Sequence, residues 1–130
     1  MGMGLHIIAE FLGVKEEKIA TIKQLKPIVE RVVKKSGLNV VSSAYHQFKP
    51  YGVTCVYLLM ESHLAIHTWP EVCYMAVDIF TCGKNRKAKE TLELLRKEFS
   101  PKKVKMKIIG RLEYEKLLER KENSARAGGR

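Results

Sequence analysis

Between residues 54 and 82 the chain carries Thr54, Glu61-Ser62-His63, His67-Thr68-Trp69-Pro70-Glu71 and Thr81-Cys82-Gly83. A serine hydroxyl, an imidazole and a thiol are the nucleophile, base and acid of group-transfer chemistry, which makes Ser62, His67 and Cys82 the candidate reactive groups. Each residue type also has an ordinary structural use. A serine beside a strand is commonly a turn residue, and a lone cysteine commonly packs. A cysteine ahead of a helix has a further option, because the helix N-terminus favours its thiolate. His63 and His67 stand four apart, on one side of either a helix or a strand, and Glu61 joins them there on a strand. No further His or Cys has ligand-like spacing, so no metal is assigned.

The charge pattern narrows the partners. The net charge of +10 by itself favours nucleic acid. Residues 84–107, however, hold 10 Lys/Arg against 3 acids, whereas residues 62–83 hold no Lys or Arg, only Glu71 and Asp78. The basic excess reads as the solvated face of one helix and the strand after it. The reactive stretch is locally acidic, which suits a cationic ligand better than a phosphate. The three cysteines, Cys55, Cys73 and Cys82, form no Cys-x-x-Cys pair, which argues against a disulfide framework and a zinc knuckle. No apolar run approaches the ~20 residues of a membrane span. The start Met1-Gly2-Met3-Gly4-Leu5-His6 lacks the features of a signal peptide, so the expected location is cytoplasmic.

These 130 residues fit one domain, and the elements that position the reactive groups are legible. Leu5 to Phe11 reads as a strand. Ile22, Leu25, Val29 and Val32 share one helical face, with Thr21 and Gln24 as a capping box and Gly37 as the stop. Pro27 predicts a kink or a later helix start. Strands are expected over Leu38–Phe48, Val53–Met60, Ser62–Trp69 and Cys73–Phe80, with Pro50-Tyr51-Gly52 as a turn. Asn85 is positioned to cap a second helix, whose stripe is Ala88, Leu92, Leu95 and Phe99; Val104 to Ile109 alternates as a last strand. The expectation is an α+β two-layer sandwich over residues 1–115, a mostly antiparallel sheet with two helices on one face. Residues 116–130 are expected to be a polar, flexible tail. A sheet covered on one side needs a partner, and a sheet-to-sheet homodimer supplies it.

Three blocks, Tyr45-His46-Gln47-Phe48-Lys49-Pro50-Tyr51-Gly52-Val53-Thr54, Glu61-Ser62-His63-Leu64-Ala65-Ile66-His67-Thr68-Trp69-Pro70-Glu71 and Ala76-Val77-Asp78-Ile79-Phe80-Thr81-Cys82-Gly83, resemble the small prokaryotic class of S-adenosylmethionine decarboxylases. The ordered resemblance spans residues 5 to about 110. It implies a proenzyme in which the Ser62 hydroxyl attacks the Glu61 carbonyl. The ester that forms eliminates, leaving a β chain of residues 1–61 and an α chain that begins with a pyruvoyl group made from Ser62. The resemblance assigns His67 as the proton acceptor in processing and Thr54, where relatives often carry serine, as support for the scissile carbonyl. The pyruvoyl cofactor is implied to form a Schiff base with S-adenosylmethionine and to accept the electrons released with CO2, a step toward polyamines such as spermidine. Cys82 is implied as the proton donor in catalysis, with Phe48 and Glu71 meeting the adenine ring and the ribose hydroxyls.

Strand alternation puts Ser62 and His67 on opposite faces. Acting at one site therefore requires either a strained bend at Glu61-Ser62 or residues from two subunits. Two rivals stand beside this reading. One is a pyruvoyl-dependent arginine decarboxylase of the same fold. The other is a basic nucleic-acid-binding module built on residues 84–107, where Phe99 is the one aromatic and lies on the apolar stripe.

Overall fold

The computed structural model describes residues 4–60, 62–82, 87–111 and 114–128. Its strands are β1 (Gly4–Leu12), β2 (Val40–Gln47), β3 (Val53–Leu59), β4 (Ser62–Trp69), β5 (Tyr74–Cys82) and β6 (Lys103–Arg111). Its α-helices are α1 (Ile22–Ser36), α2 (Lys87–Phe99) and α3 (Tyr114–Gly128). The strands form one sheet in the order β2-β3-β4-β5-β1-β6, and every neighbouring pair is antiparallel. This is the α+β sandwich that the apolar periodicity predicts.

Alternation along the strands sorts the sheet into two faces. Ile7 and Phe11 of β1, Tyr57 of β3, Leu64 and Ile66 of β4 and Ile79 of β5 are fully buried on the face that α1 and α2 cover. Leu25 and Val29 of α1 and Ala88, Leu95 and Phe99 of α2 fill that core from the helix side. Each such large side chain contributes roughly 1.5–3 kcal/mol on leaving water. A partly buried polar chain ties α1 to the sheet edge: the Tyr57 hydroxyl donates to Glu30 Oε2, and the Tyr45 and Tyr57 hydroxyls are 2.6 Å apart.

Thr21 caps α1 with a complete capping box, and Gly37 ends it in the left-handed conformation at φ 70°. Pro27 lies inside α1, so the helix starts at Ile22 and not near the proline. Asn85 and Gly83 lie outside the described residues, and α2 is described from Lys87.

Of the polar stretch 116–130, expected to be a flexible tail, residues 116–128 lie in the helix α3, and Lys116–Ala125 are exposed along it. Leucines and charged residues with high helix propensity suffice for this, although the segment lacks a core stripe like those of α1 and α2. No described helix is long and apolar enough to cross a membrane.

The face of the sheet away from α1 and α2 carries Ile8, Val56, Leu58 and Trp69 exposed, together with His6, His63, His67 and Asp78. The candidate chemistry is concentrated on this open face.

Candidate active site

β3 ends at Leu59 and β4 begins at Ser62, and these two residues pair. Glu61, half of the expected cleavage site, lies outside the described residues, and so does the strained bend expected there. Ser62 is half-buried at the first position of β4, on the helix-covered side. Its Oγ accepts a hydrogen bond from the Cys82 main-chain N–H at 3.2 Å. Alternation along β5 assigns the Cys82 side chain to the open face with Phe80 and Asp78.

His67 sits five residues further along β4, on the open face. It pairs with Thr54 of β3, and Thr54 Oγ1 lies 3.0 Å from His67 Nδ1. That bond leaves Nε2 directed away from Thr54. If Nδ1 carries the proton and donates it to Thr54, Nε2 holds a lone pair and is equipped as a base. The neighbouring Thr68 is buried and fixes the strand. Its hydroxyl accepts from the Val53 N–H and donates to the Ile19 carbonyl, both at 2.8 Å.

Phe48 and Glu71 belong to the same end of the sheet as His67. Phe48 follows β2 and its ring meets that of His46 edge-on at 4.6 Å, while Glu71 lies in the short 3-10 turn Pro70–Val72 directly after β4. The turn between Phe48 and β3 is held by Gln47, whose side chain was given no role by sequence reasoning. Its amide donates to the carbonyls of Ala20, Phe48 and Gly52, and its oxygen accepts from Ile22 N–H at 2.7 Å. Gly52 has φ 111°, and a Cβ there would stand 3.3 Å from the Thr68 carbonyl, so the turn needs glycine.

The expected site residues thus fall into two groups. Ser62 and the Cys82 backbone meet at one end of β4. Thr54, His67, Phe48 and Glu71 gather at the other. Five residues of strand separate Ser62 from His67 by about 17 Å, and the two side chains lie on opposite faces. His63 and His67 share the open face, as their spacing predicts, but four strand residues hold them about 13 Å apart, too far to share an ion.

His63 instead meets two residues that sequence reasoning left unassigned. Its Nε2 is 3.1 Å from Asp78 Oδ1, and His6 Nε2 is 2.6 Å from the same oxygen. Burial alone would raise the Asp78 pKa, yet hydrogen bonds from His6 and His63 outweigh it and hold the carboxyl below its ordinary range. Asp78 had one signal in the sequence, as an acid in a stretch free of Lys and Arg. His6 had none, because 72 residues separate it from Asp78. A groove of about 490 Å3 crosses the open face from His67 past Ala65, Ala76 and Asp78 to Glu10, with Lys105 and Lys107 on its far wall.

Of the cysteines, Cys55 is fully buried, and burial pushes its thiol up to about 12. Cys73 and Cys82 are half-buried.

A two-layer α+β sandwich with a Ser62–Cys82 contact at one end of β4 and a Thr54–His67 pair at the other defines the class of this domain. The family described as S-adenosylmethionine decarboxylase matches residues 5–112, and the chain belongs to that family. An S-adenosylmethionine decarboxylase proenzyme of Archaeoglobus fulgidus is 46% identical over 111 residues, which cover 85% of this chain and 99% of that one. Another, of Sulfurihydrogenibium sp., is 45% identical over 109 residues, covering 84% and 82%. The crystal structure of the adenosylmethionine decarboxylase from Aquifex aeolicus superimposes with a TM-score of 0.80 at 37% identity, covering 85% of this chain and 91% of that one. These likenesses favour S-adenosylmethionine over arginine as the substrate, and an enzyme over a nucleic-acid-binding module.

Proposed function

We propose that this chain cuts itself between Glu61 and Ser62, and that the cut protein decarboxylates S-adenosylmethionine at a site completed by two copies of the chain. Family membership supports the reaction. The separation of Ser62 from His67 by about 17 Å of strand, on opposite faces, carries the two-copy reading.

A His67 that cannot reach its own Ser62 serves the Ser62 of a partner. Two sheets packed open face to open face, running oppositely, bring the Ser62 end of one β4 to the His67 end of the other. The exposed Ile8, Val56 and Leu58 on that face are the apolar surface such packing buries. The strand end that bears Ser62 and the open-face Cys82 of one copy then lies against the end that bears Thr54, His67, Phe48 and Glu71 of the other.

The residues fit a pyruvoyl group at position 62. Ser62 is its precursor, and the Cys82 N–H already donates to the Ser62 oxygen. Such a group supplies a conjugated carbonyl that accepts electrons as CO2 leaves. The chain's own residues do the rest. The Ser62 hydroxyl is the nucleophile in the cut, and His67 takes a proton, oriented by Thr54. Cys82 returns a proton to the substrate carbon. Phe48 and Glu71 hold the nucleoside.

Co-expressing two differently tagged variants, Ser62→Ala and His67→Ala, tests the two-copy site. Each alone is expected to stay one chain in denaturing mass analysis. In the purified mixed pair, the His67→Ala chain keeps its serine and is expected to be cut with the His67 of its partner. A mixed pair that stays uncut would place the whole site within one chain.

A further inference from the structure

On the open face, Leu58, His63, Phe80 and His6 lie side by side across β3, β4, β5 and β1. The rings of His6 and His63 meet edge-on at 5.8 Å, and both lean on Phe80. Asp78, one pleat along β5, receives both imidazoles on Oδ1, at 2.6 Å from His6 and 3.1 Å from His63. On the far side of His6, Arg111 Nη1 lies 3.2 Å from Nδ1, and the guanidinium also covers Phe80 at 4.7 Å.

Arg111 assigns the protons. A guanidinium only donates, so His6 Nδ1 must hold the lone pair and the His6 proton sits on Nε2, directed at Asp78. The cluster is therefore a directional chain in which Arg111 donates to His6 and His6 donates to Asp78, with His63 donating to Asp78 from the other side. The ligand atoms of His6, His63 and Asp78 also lie within 4.8 Å of one another, close enough for a metal ion. A metal on His6 Nε2 would move its proton to Nδ1, facing the Arg111 donor, and the guanidinium opposes that state.

His63 has a particular importance if the chain is cut before residue 62. Its main-chain nitrogen then carries the group made from Ser62, and the covalent link toward Met60 is gone. A new chain end frays unless something ties it down. Asp78 lies on β5, four residues before Cys82 and on the same face. A side-chain tie from His63 to Asp78 holds the start of β4 in register with the strand that bears Cys82.

We propose that Asp78, oriented by His6 and Arg111, is a positioning residue that anchors His63 and so keeps the residue-62 carbonyl group at Cys82 after the chain has been cut. This inference rests on the self-cleavage reading and adds a residue that acts in turnover more than in the cut. Before cleavage the intact backbone keeps Ser62 in place; afterwards the anchor must.

Four proteins test it: the wild type, Asp78→Ala, Asp78→Asn and Asp78→Glu, each measured by intact mass, by steady-state CO2 release from S-adenosylmethionine and by amide hydrogen exchange. Asp78→Ala is expected to yield the same two chains as the wild type. Its kcat is expected to fall at least tenfold with KM within about twofold, and exchange over residues 63–66 to quicken at least tenfold. Asp78→Asn keeps the shape and one acceptor oxygen, so an intermediate loss is expected, and it serves where the alanine variant does not fold. Asp78→Glu, which retains the charge, is expected to recover part of the kcat. A cut Asp78→Ala protein with wild-type kcat and wild-type exchange overturns the anchor, as does a wild type whose turnover is abolished by chelation and restored by a divalent metal. A wild type that remains one chain overturns the self-cleavage reading and the anchor with it, and the mass measurement alone distinguishes that failure.

Discussion

Thr54 and His67 face each other across β3 and β4, with Oγ1 and Nδ1 3.0 Å apart, at the end of β4 remote from Ser62. The pairing orients the His67 ring with Nε2 directed away from Thr54, and it couples the roles proposed for the two residues in self-cleavage. Replacing His67 with alanine is expected to slow self-cleavage about a hundredfold or more, the usual worth of a positioned base. Thr54→Ala is expected to slow it less, about tenfold, and Thr54→Ser to keep it near the wild-type rate, because serine retains the hydroxyl. The fraction of uncut chain against time, read by denaturing mass analysis, checks all three.

Cys82 contributes to the precursor through its main-chain N–H, which any residue but proline supplies. Cys82→Ala is therefore expected to be cut normally and to lose turnover by at least a hundredfold, because the role proposed for its thiol is to donate the proton in decarboxylation. Mass analysis followed by CO2 release separates the two stages. Loss of both together would assign the thiol to the cut as well.

Val56 lies 42% exposed on the open face, one strand from Ala65. A lysine there places a charge in the surface that sheet-to-sheet packing would bury. Val56→Lys is expected to sediment as a monomer of 14.9 kDa and to remain uncut, with its far-ultraviolet circular dichroism unchanged. Cleavage at the wild-type rate by a monomer would remove the need for a partner copy.

Burial raises Cys55 from 9.0 to about 12, and raises Tyr45 and Tyr57 beyond their ordinary range as well. Each group stays protonated in the folded chain at a pH where the unfolded chain has lost its proton. The Cys55 contribution to stability is complete below pH 9 and is lost as pH rises from 9 toward 12, and the contributions of the two tyrosines begin to fall only above pH 10. The urea midpoint is expected to fall steadily over that range, and less steeply in Cys55→Ala. Equal slopes in the two proteins would show that the thiol does not take part. At the acid end the sign reverses for Asp78: its depressed pKa stabilises the fold above 3.8, and this contribution is lost as pH falls through the folded value.

Thr91 of α2 is fully buried, and its hydroxyl has no partner among the described residues. An unsatisfied buried hydroxyl costs about 1–3 kcal/mol. Thr91→Val keeps the shape and removes the hydroxyl, so a gain of about 1 kcal/mol is expected in a denaturant titration. By contrast, Leu95→Ala, which empties a fully buried position on the same helix, is expected to cost about 2–5 kcal/mol.

Much of this molecule is local and therefore readable along the chain. Apolar runs, alternation and turn residues marked all six strands, and apolar spacings of three and four marked the two core helices, because each element must bury apolar side chains. The same alternation places Ser62 and His67 on opposite faces, and the Glu61–Glu71 stretch resembles one family residue by residue. The placement of β1 between β5 and β6 was not readable, since strand order follows from long-range packing and leaves no local mark. That placement alone carries His6 across 72 residues to Asp78 and creates the His6–Asp78–His63 cluster. Register likewise decided that Thr54 meets His67, and Gln47 acquired its role only when the turn before β3 closed on the start of α1. Helix α3 escaped the core-stripe criterion because its described side chains are exposed, leaving no apolar face for burial to imprint on the sequence.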